Sequence, residues 1–326
     1  MNVLVTGGAG YIGAHLVRLL TERGERVIVA DDLATGSAER IGAVPLIQLD
    51  LASDVAPGIL TAALREHQVD TVVHFAARKQ VGESVARPAW YYQQNIGGLA
   101  NLLLAMKAAE VSRFVFSSSA SVYAASDAPL AEGDPTEPLS PYGETKLVGE
   151  WLAADAARAT GLRSVSLRYF NVAGAGEPEL GDTAVLNLVP MVFEKLDAGE
   201  APVIFGGDYP TADGTCIRDY VHVQDVAEAH LAAIDGLDSL GGGHQLFNIG
   251  TGKGHSVREI IDAVLAVAGV DRAPIVAERR PGDPASVVAA VGSIREKLGW
   301  SARLGLDDII QSAWSSHEYV RKAGRP

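Results

Sequence analysis

Residues 6–13 read TGGAGYIG, and they join a short apolar run that ends at Thr6 to an amphipathic stretch. In such a turn Gly7 permits the tight bend, Gly10 lets backbone approach a pyrophosphate, and Gly13 lets the helix pack close to the strand. The amides at a helix N-terminus bind phosphate because the helix dipole favours negative charge there. The spacing is G-x-x-G-x-x-G rather than the common G-x-G-x-x-G. The stretch predicts a strand, a phosphate-binding turn and a helix.

The chain around this turn alternates short apolar runs with longer amphipathic ones, which is the pattern of a parallel sheet flanked by helices. The predicted strands are Val3–Thr6, Val27–Asp31, Pro45–Gln48, Thr71–Phe75, Arg113–Ser117 and Ser164–Arg168. The predicted helices are Ile12–Arg23, Ala56–Glu66, Tyr91–Ala109 and Tyr142–Ala159. After about residue 170 glycine and proline become frequent and the elements shorten. We predict an α/β fold: a Rossmann-type doubly wound parallel sheet in residues 1–171, joined by some later segments, and a smaller α/β substrate domain mainly in residues 172–326.

Composition excludes several classes of function. The 326 residues carry 27 Lys and Arg against 40 Asp and Glu, a formal net charge of −13, so we expect no nucleic-acid partner. The one cysteine, Cys216, excludes an intramolecular disulfide framework and suits a reducing compartment. No apolar run is long enough for a membrane span, and no basic leader precedes the first predicted strand. We expect a cytoplasmic protein without a membrane partner.

Acidic residues follow the second and third predicted strands. Asp31 ends the second strand, where a carboxylate accepts the ribose hydroxyls of a dinucleotide and repels a 2′-phosphate, which favours NAD over NADP. The alternative for Asp31 and Asp32 is a solvated strand end. Asp50 is a candidate partner for the adenine, or a turn residue.

A tyrosine and a lysine lie four residues apart at the start of a predicted helix. Tyr142 and Lys146 therefore share a face, and a neighbouring ammonium favours phenolate, as does a positive nicotinamide ring. Taken alone, a tyrosine and a lysine at this spacing are more typical of an ordinary helix surface than of an active site. The run of serines at 117–119, however, lies at the carboxyl end of a strand, where ligands bind in open α/β sheets. Together with the glycines, these residues predict a proton-transfer site beside a dinucleotide.

The sequence resembles the UDP-galactose 4-epimerases of the extended short-chain dehydrogenase/reductase superfamily over nearly its whole length. The matching runs are TGGAGYIG (6–13), HFAARKQVGES (74–84), SSSASVY (117–123), SPYGETK (140–146), LRYFNVAG (167–174), DYPTADGTCIRDYVHVQD (208–225) and ERRPGDP (278–284). The resemblance implies inversion of carbon 4 of a UDP-hexose through a 4-keto intermediate, with tightly bound NAD.

The resemblance also implies residue roles. Tyr142 is implied as the base, Ser119 as its hydrogen-bonding helper and Lys146 as the anchor of the cofactor ribose. The residues implied around NAD are Gly7, Gly10, Tyr11, Ile12, Gly13, Asp31, Asp50, Leu51, Phe75, Ala76, Lys79, Asn95 and Tyr169. Those implied around the UDP-sugar are Asn171, Asn187, Leu188, Arg218, Arg280 and Asp283. Each arginine alone is also typical of a surface ion pair. The resemblance further implies a homodimer through the helices Tyr91–Ala109 and Tyr142–Ala159.

Some positions depart from the relatives' pattern. Related dehydratases and decarboxylases carry an acidic residue just after the serine run, where this chain has Ala120 and Ser121, so loss of water or carbon dioxide is disfavoured. Ala124 replaces a usual glycine and Val172 a frequent proline. Val287 stands where glucose- and galactose-restricted members have a bulky tyrosine, which predicts some tolerance of N-acetylated sugars.

Other functions stay open. A 4-epimerase for a UDP-N-acetylhexosamine, a UDP-pentose or UDP-glucuronate is the nearest alternative, followed by a dehydrogenase of a small alcohol and a non-catalytic NAD-sensing protein. His222, Asp225 and His230 resemble a metal-ligand set, but we interpret them as core or surface residues and expect no metal. No nucleophile-elbow pattern indicates a hydrolase.

Overall fold

A parallel sheet forms the centre of the N-terminal part. The computed structural model describes residues 1–126, 128–280 and 282–323. In those residues the main sheet has the strands β1 (Asn2–Thr6), β2 (Arg26–Asp31), β3 (Leu46–Gln48), β4 (Thr71–His74), β5 (Arg113–Ser119), β6 (Arg163–Tyr169) and β10 (His244–Ile249). Their order is β10-β6-β5-β4-β1-β2-β3, and every neighbouring pair is parallel. The predicted Rossmann-type fold is confirmed.

Helices cover both faces of this sheet. They are α1 (Tyr11–Glu22), α2 (Ala56–Glu66), α5 (Gly98–Ala108), α6 (Pro141–Thr160) and α8 (Val223–Gly236), and the short helices α3 (Val81–Ala86) and α4 (Pro88–Tyr92) pack against α6. Leu16 of α1 and Ile234 of α8 pack on one face, and Leu60 of α2 and Leu102 of α5 pack on the other, all fully buried. Burial on both faces explains why the strands read as nearly continuous apolar runs.

Two predicted elements differ from the observed ones by more than one residue at an end. The predicted helix Tyr91–Ala109 is α4 and α5 joined by a π-helical turn at Gln93–Gly97. That turn places the Asn95 amide inside the protein, where its Nδ2 donates to the Arg78 carbonyl and to Thr145 Oγ1, each at 3.0 Å. Strand β5 extends two residues beyond the predicted Ser117, because the chain there continues to pair with β6.

The C-terminal part contains a smaller sheet and further helices. Strand β9 (Ile217–His222) pairs with β7 (Asn171–Ala173), β11 (Gly254–Ser256) and β13 (Ser286–Val287), and β8 (Val203–Phe205) pairs with β12 (Ile275–Ala277). The helices are α7 (Leu188–Asp197), α9 (Val257–Ala268), α10 (Gly292–Leu298) and α11 (Leu306–Lys322). Val192, Ile260 and Ile310 form part of a core between α7, α9 and α11.

One buried carboxylate connects the two sheets. Asp219 of β9 is completely buried and accepts hydrogen bonds from the amides of Thr251 and Gly252, which follow β10 of the main sheet. It also accepts from the Ala289 amide, two residues after β13. Asp219 thereby fixes β9 relative to both neighbouring segments. Within the described part of the chain, no helix is long and apolar enough to cross a membrane.

Candidate active site

The glycine turn is shaped by close backbone contacts. Gly7 has φ +70°, and a Cβ atom there would lie 2.5 Å from the Ala76 amide nitrogen. A Cβ on Gly13 would lie 2.3 Å from the Gly7 carbonyl oxygen, so α1 can approach β1 only with glycine at this position. The turn leaves the N-terminus of α1 open toward the carboxyl ends of β1 and β4, where the strand order reverses. Ligands of doubly wound sheets bind at this crevice.

Asp31 supports this turn. Its Oδ2 accepts a 3.0 Å hydrogen bond from the Ala9 amide, and its Oδ1 accepts a 2.9 Å bond from the Leu33 amide. Burial raises the pKa of the Asp31 carboxyl despite these two bonds. The next residue, Asp32, pairs with Arg78, which also donates to Gln94 Oε1 at 2.9 Å. Sequence reasoning missed Arg78, because its partners come from three separate elements.

A cleft runs from the glycine turn to α6. All the residues expected around NAD line it: Gly7, Gly10, Tyr11, Ile12, Gly13, Asp31, Asp50, Leu51, Phe75, Ala76, Lys79, Asn95 and Tyr169. Tyr142 and Lys146 line the same cleft. The glycine cradle, a carboxylate after β2 and a buried Tyr-Lys pair together fit a nicotinamide dinucleotide.

The first turn of α6 presents the Tyr-Lys pair. The Ser140 hydroxyl caps the helix by accepting from the Gly143 amide at 3.2 Å. Lys146 Nζ donates to the Ser117 carbonyl at 2.8 Å and lies 5.9 Å from the centre of the Tyr142 ring. The Ser119 hydroxyl accepts a 3.1 Å hydrogen bond from the Ser121 amide and lies 2.9 Å from Ser121 Oγ. Of the three expected catalytic residues, Tyr142 and Lys146 line the cleft and Ser119 does not.

The electrostatics of this pair differ from the prediction. Burial raises the pKa of Tyr142, and the Ser119 hydrogen bond opposes that rise. Burial also lowers the pKa of Lys146 to about 8. The expectation that the ammonium lowers the Tyr142 pKa is wrong for the protein alone, because desolvation of the phenolate outweighs the other influences. A positively charged nicotinamide ring in the cleft would oppose this rise.

A second cavity lies in the C-terminal part. Its walls include every residue expected around the UDP-sugar: Asn171, Asn187, Leu188, Arg218, Arg280 and Asp283. The Arg218 guanidinium pairs with Asp283, and the Arg280 guanidinium lies 4.1 Å from the centre of the Phe205 ring. Phe205 is an aromatic wall of the cavity that sequence reasoning missed. A lone phenylalanine beside glycines carries no chemical signal in sequence.

The residues that resemble a metal-ligand set are engaged separately. His230 Nε2 lies 2.6 Å from the Tyr169 hydroxyl, and His222 Nε2 lies 2.9 Å from Ser312 Oγ. Asp225 accepts from the amides of Arg303 and Leu304. Among residues 1–126, 128–280 and 282–323, no group of three or more His, Cys, Asp or Glu side chains is placed to hold a metal ion.

Comparison with known proteins agrees with this geometry. Residues 3–250 match the model of the NAD dependent epimerase/dehydratase family. The chain belongs to this family. A UDP-glucose 4-epimerase of Azospirillum brasilense is 45% identical over 336 aligned positions, which cover 100% of this chain and 95% of the relative.

Solved structures of family members superpose closely on this one. A UDP-glucose-4-epimerase from Stenotrophomonas maltophila, with bound NAD and formylated UDP-arabinopyranose, is 42% identical with a TM-score of 0.93 and 99% of each chain covered. A UDP-glucose 4-epimerase from Bifidobacterium longum, in complex with NAD+ and UDP, is 38% identical with a TM-score of 0.89 and 98% of each chain covered. The likeness spans nearly the whole of this family member.

Proposed function

We propose that this family member is an NAD-dependent UDP-glucose 4-epimerase that inverts carbon 4 of a UDP-hexose through a 4-keto intermediate. One observation carries the proposal: the chain passes directly from the dinucleotide cleft into the cationic cavity. Tyr169, at the end of β6, lines the cleft beside Tyr142, and Asn171, at the start of β7, lines the cavity. The two binding regions therefore adjoin along the chain, as a substrate held by Arg218 and reacting at Tyr142 would require.

The cleft supplies the oxidising cofactor and the proton acceptor. The cleft residues would hold NAD, which would supply a hydride acceptor for carbon 4 and a hydride donor for its return. The carboxylate of Asp31 favours NAD over NADP, because it would repel a 2′-phosphate. Tyr142 takes the hydroxyl proton from the sugar and returns it, while Ser119 stabilises the phenolate by hydrogen bonding. Lys146 holds positive charge beside Tyr142 and offers its ammonium to the cofactor ribose.

The cavity binds the nucleotide more firmly than the sugar. Arg218 and Arg280 supply the positive charge that a diphosphate needs in a protein of net charge −13. Phe205 offers a flat apolar face to the base, and Asp283 can accept ribose hydroxyls. Strong contacts to UDP and weak contacts to the hexose let the sugar turn over and present its opposite face for hydride return.

A UDP-N-acetylhexosamine is the second candidate substrate. Val287 in β13 is the register partner of Arg218 in β9, so a small side chain stands beside the cavity's cation. A UDP-Glc/GlcNAc 4-epimerase from Campylobacter jejuni is 35% identical to this chain, with a TM-score of 0.85. We infer that the cavity admits an N-acetyl group as well as a hydroxyl.

We also infer a homodimer formed through α5 and α6. Leu104 of α5 is 61% exposed and Trp151 of α6 is 57% exposed, and Tyr92 at the end of α4 is exposed as well. Large apolar side chains clustered on adjacent helices are typical of a protein interface. Cys216 is a buried free cysteine. A chain without disulfides is typical of a reducing compartment, so we infer that the protein is cytoplasmic.

The assay that tests the function supplies UDP-galactose to the purified protein without added NAD and follows UDP-glucose with a coupling dehydrogenase. Turnover establishes 4-epimerisation and retained cofactor together. Tyr142→Phe should abolish turnover, whereas Tyr319→Phe on the exposed face of α11 should leave it unchanged. Absence of turnover with UDP-hexoses, even with NAD added, would contradict the proposal. UDP-N-acetylhexosamines, UDP-pentoses and UDP-glucuronate would then be compared.

A further inference from the structure

Two serines at the end of β5 bind one face of α6. Tyr142, Lys146 and Glu150 recur every four residues on that face. Lys146 Nζ donates to the Ser117 carbonyl at 2.8 Å, and Ser118 Oγ donates to Glu150 Oε1 at 2.5 Å. Glu150 thus belongs to the same array as the catalytic pair, although nothing in its sequence position alone indicates a role.

Glu150 is a buried charge with both oxygens in use. Its side chain is 3% exposed, as is that of its partner Arg168 on β6. Arg168 Nε donates to Oε1 at 2.9 Å and Arg168 Nη2 donates to Oε2 at 2.6 Å, in a bidentate pair. Arg168 is itself fixed by the Glu132 carbonyl at 3.2 Å and by the Tyr123 ring, whose centre lies 4.7 Å away. A pair held in this way sets the position of α6 over two neighbouring strands.

The helix lies unusually close to the strand at this point. A Cβ on Gly149 would lie 2.5 Å from Cζ of Phe116, so the backbone of α6 rests directly on the ring of a β5 residue. The neighbouring Glu150 and Ser118 therefore meet without an intervening side chain. Small displacements of α6 along β5 would break the 2.5 Å bond and move Tyr142 with it.

We propose that Glu150 is a positioning residue that aligns α6 on β5 and holds the charge of Lys146 beside Tyr142. The inference rests on the proposed roles of Tyr142 and Lys146 and adds a residue to them. Glu150 touches neither cleft nor cavity, so it acts through Ser118 and through its charge.

The charges around Tyr142, Lys146 and Glu150 determine in which direction the loss of the Glu150 charge shifts the Lys146 pKa. Burial lowers the pKa of Lys146, and the negative charge of Glu150 raises it again. Other titratable and charged groups also face these residues. His74 on β4 interacts electrostatically with Lys146, and Tyr91 on α4 and Tyr169 on β6 interact with Tyr142. Arg168 and His244 interact with Glu150. Neutralising Glu150 leaves Arg168 unpaired and Lys146 without its nearest anion. The Lys146 ammonium should then be lost at a lower pH.

The test combines Glu150→Gln with a measurement that needs no substrate. Lysine labelled with 13C reports the titration of Lys146 by NMR in the protein without added ligands, with Lys146→Arg identifying the resonance. Glu150→Gln should lower the Lys146 pKa by about 1 pH unit. The alkaline limb of the kcat profile should move to lower pH by the same amount, and kcat at pH 7.5 should fall about threefold or more with little change in KM. Asp155→Asn, which removes an exposed carboxylate on the same helix, should change neither the Lys146 pKa nor the kcat profile.

Each outcome decides the proposal. An unchanged Lys146 titration and an unchanged kcat profile in a Glu150→Gln protein that is merely less thermostable would overturn it. Ser118→Ala keeps the buried ion pair and tests alignment if Glu150→Gln does not fold. It should lower kcat without moving the Lys146 pKa, and a kcat within about twofold of wild type would also overturn the proposal. A wild-type protein that epimerises no UDP-sugar contradicts the proposed function, whereas the NMR titration still tests Glu150.

Discussion

The Tyr169 hydroxyl and His230 form a buried hydrogen bond of 2.6 Å between the end of β6 and helix α8. The second ring nitrogen, Nδ1, lies 2.8 Å from the Val226 carbonyl and must donate to it. Neutral His230 therefore accepts from Tyr169 through Nε2. A protonated ring would instead donate from Nε2 to the Tyr169 hydroxyl oxygen, so the direction of this hydrogen bond depends on an uncharged histidine.

We predict that stability falls as pH falls from 6.5 toward 4. Burial lowers the pKa of His74 to about 3 and those of His15, His222, His230 and His244 to about 4. Between pH 6.5 and 4 these histidines are protonated in the unfolded chain but not in the folded protein. For each histidine, the free energy of unfolding therefore falls by about 1.4 kcal/mol for every pH unit by which the pH is lowered in this range. Urea denaturation between pH 6.5 and 5 measures the slope. His230→Leu should reduce it by one histidine's share, and a flat dependence would contradict the prediction.

Removing the Ser119 hydroxyl should shift the acidic limb of the kcat profile to higher pH. The Ser119 hydrogen bond opposes the burial that raises the Tyr142 pKa, so Ser119→Ala makes the phenolate harder to form. We expect kcat near neutral pH to fall roughly 10- to 100-fold. Rates measured from pH 6 to 9 decide this. Ser126→Ala, at a partly exposed loop serine, is the control, and an identical profile for Ser119→Ala would show that the hydroxyl plays no part.

Arg218→Gln should weaken UDP binding about 10- to 100-fold, because a charge-assisted contact contributes about 1.5–3 kcal/mol. The same change leaves Asp283 as an unpaired carboxylate facing the diphosphate. Isothermal titration with UDP measures the affinity. Arg303→Gln breaks an exposed ion pair with Glu228 and should leave the affinity at the wild-type value. Equal affinities for Arg218→Gln and wild type would remove Arg218 from the nucleotide site.

Gly149→Ala should destabilise the protein by roughly 1–3 kcal/mol, because the added methyl group meets the Phe116 ring at 2.5 Å. Gly58 is the matched control. It lies in α2, and a Cβ there has no neighbour within 4 Å, so Gly58→Ala should stabilise by about 0.5–1 kcal/mol through helix propensity. Urea denaturation of both variants gives the comparison. A stabilising Gly149→Ala would show that α6 can move away from β5 at little cost.

Charge on the exposed apolar side chains of α5 and α6 should separate the proposed dimer. Leu104→Glu and Trp151→Glu each place a carboxylate in the contact, where burial without a partner is costly. Light scattering after gel filtration should give twice the 34.1 kDa chain mass for wild type and the single-chain mass for the variants. Val267→Glu, at an exposed position of α9, should remain dimeric. A monomeric wild type would refute the dimer.

Local patterns predicted the strands and the shared face of Tyr142 and Lys146 well. The runs near Val3, Val27, Thr71, Arg113 and Ser164 all form strands of the main sheet, because apolar runs of this length are buried wherever helices cover both faces. The strand end beyond Ser117 and the π-helical turn at Gln93–Gly97 were missed. Both depend on partners from other elements, which local periodicity does not contain.

The sequence by itself determined the glycine turn, the parallel architecture and the shared face of Tyr142 and Lys146, because each depends on spacing within one or two adjacent elements. Tertiary structure alone decided the pairing of Arg218 with Asp283, the place of Glu150 against Ser118 and the burial that raises the Tyr142 pKa. These features join residues far apart in the chain. Desolvation and ion pairing depend on what surrounds a group in space, and neighbours in sequence do not specify that.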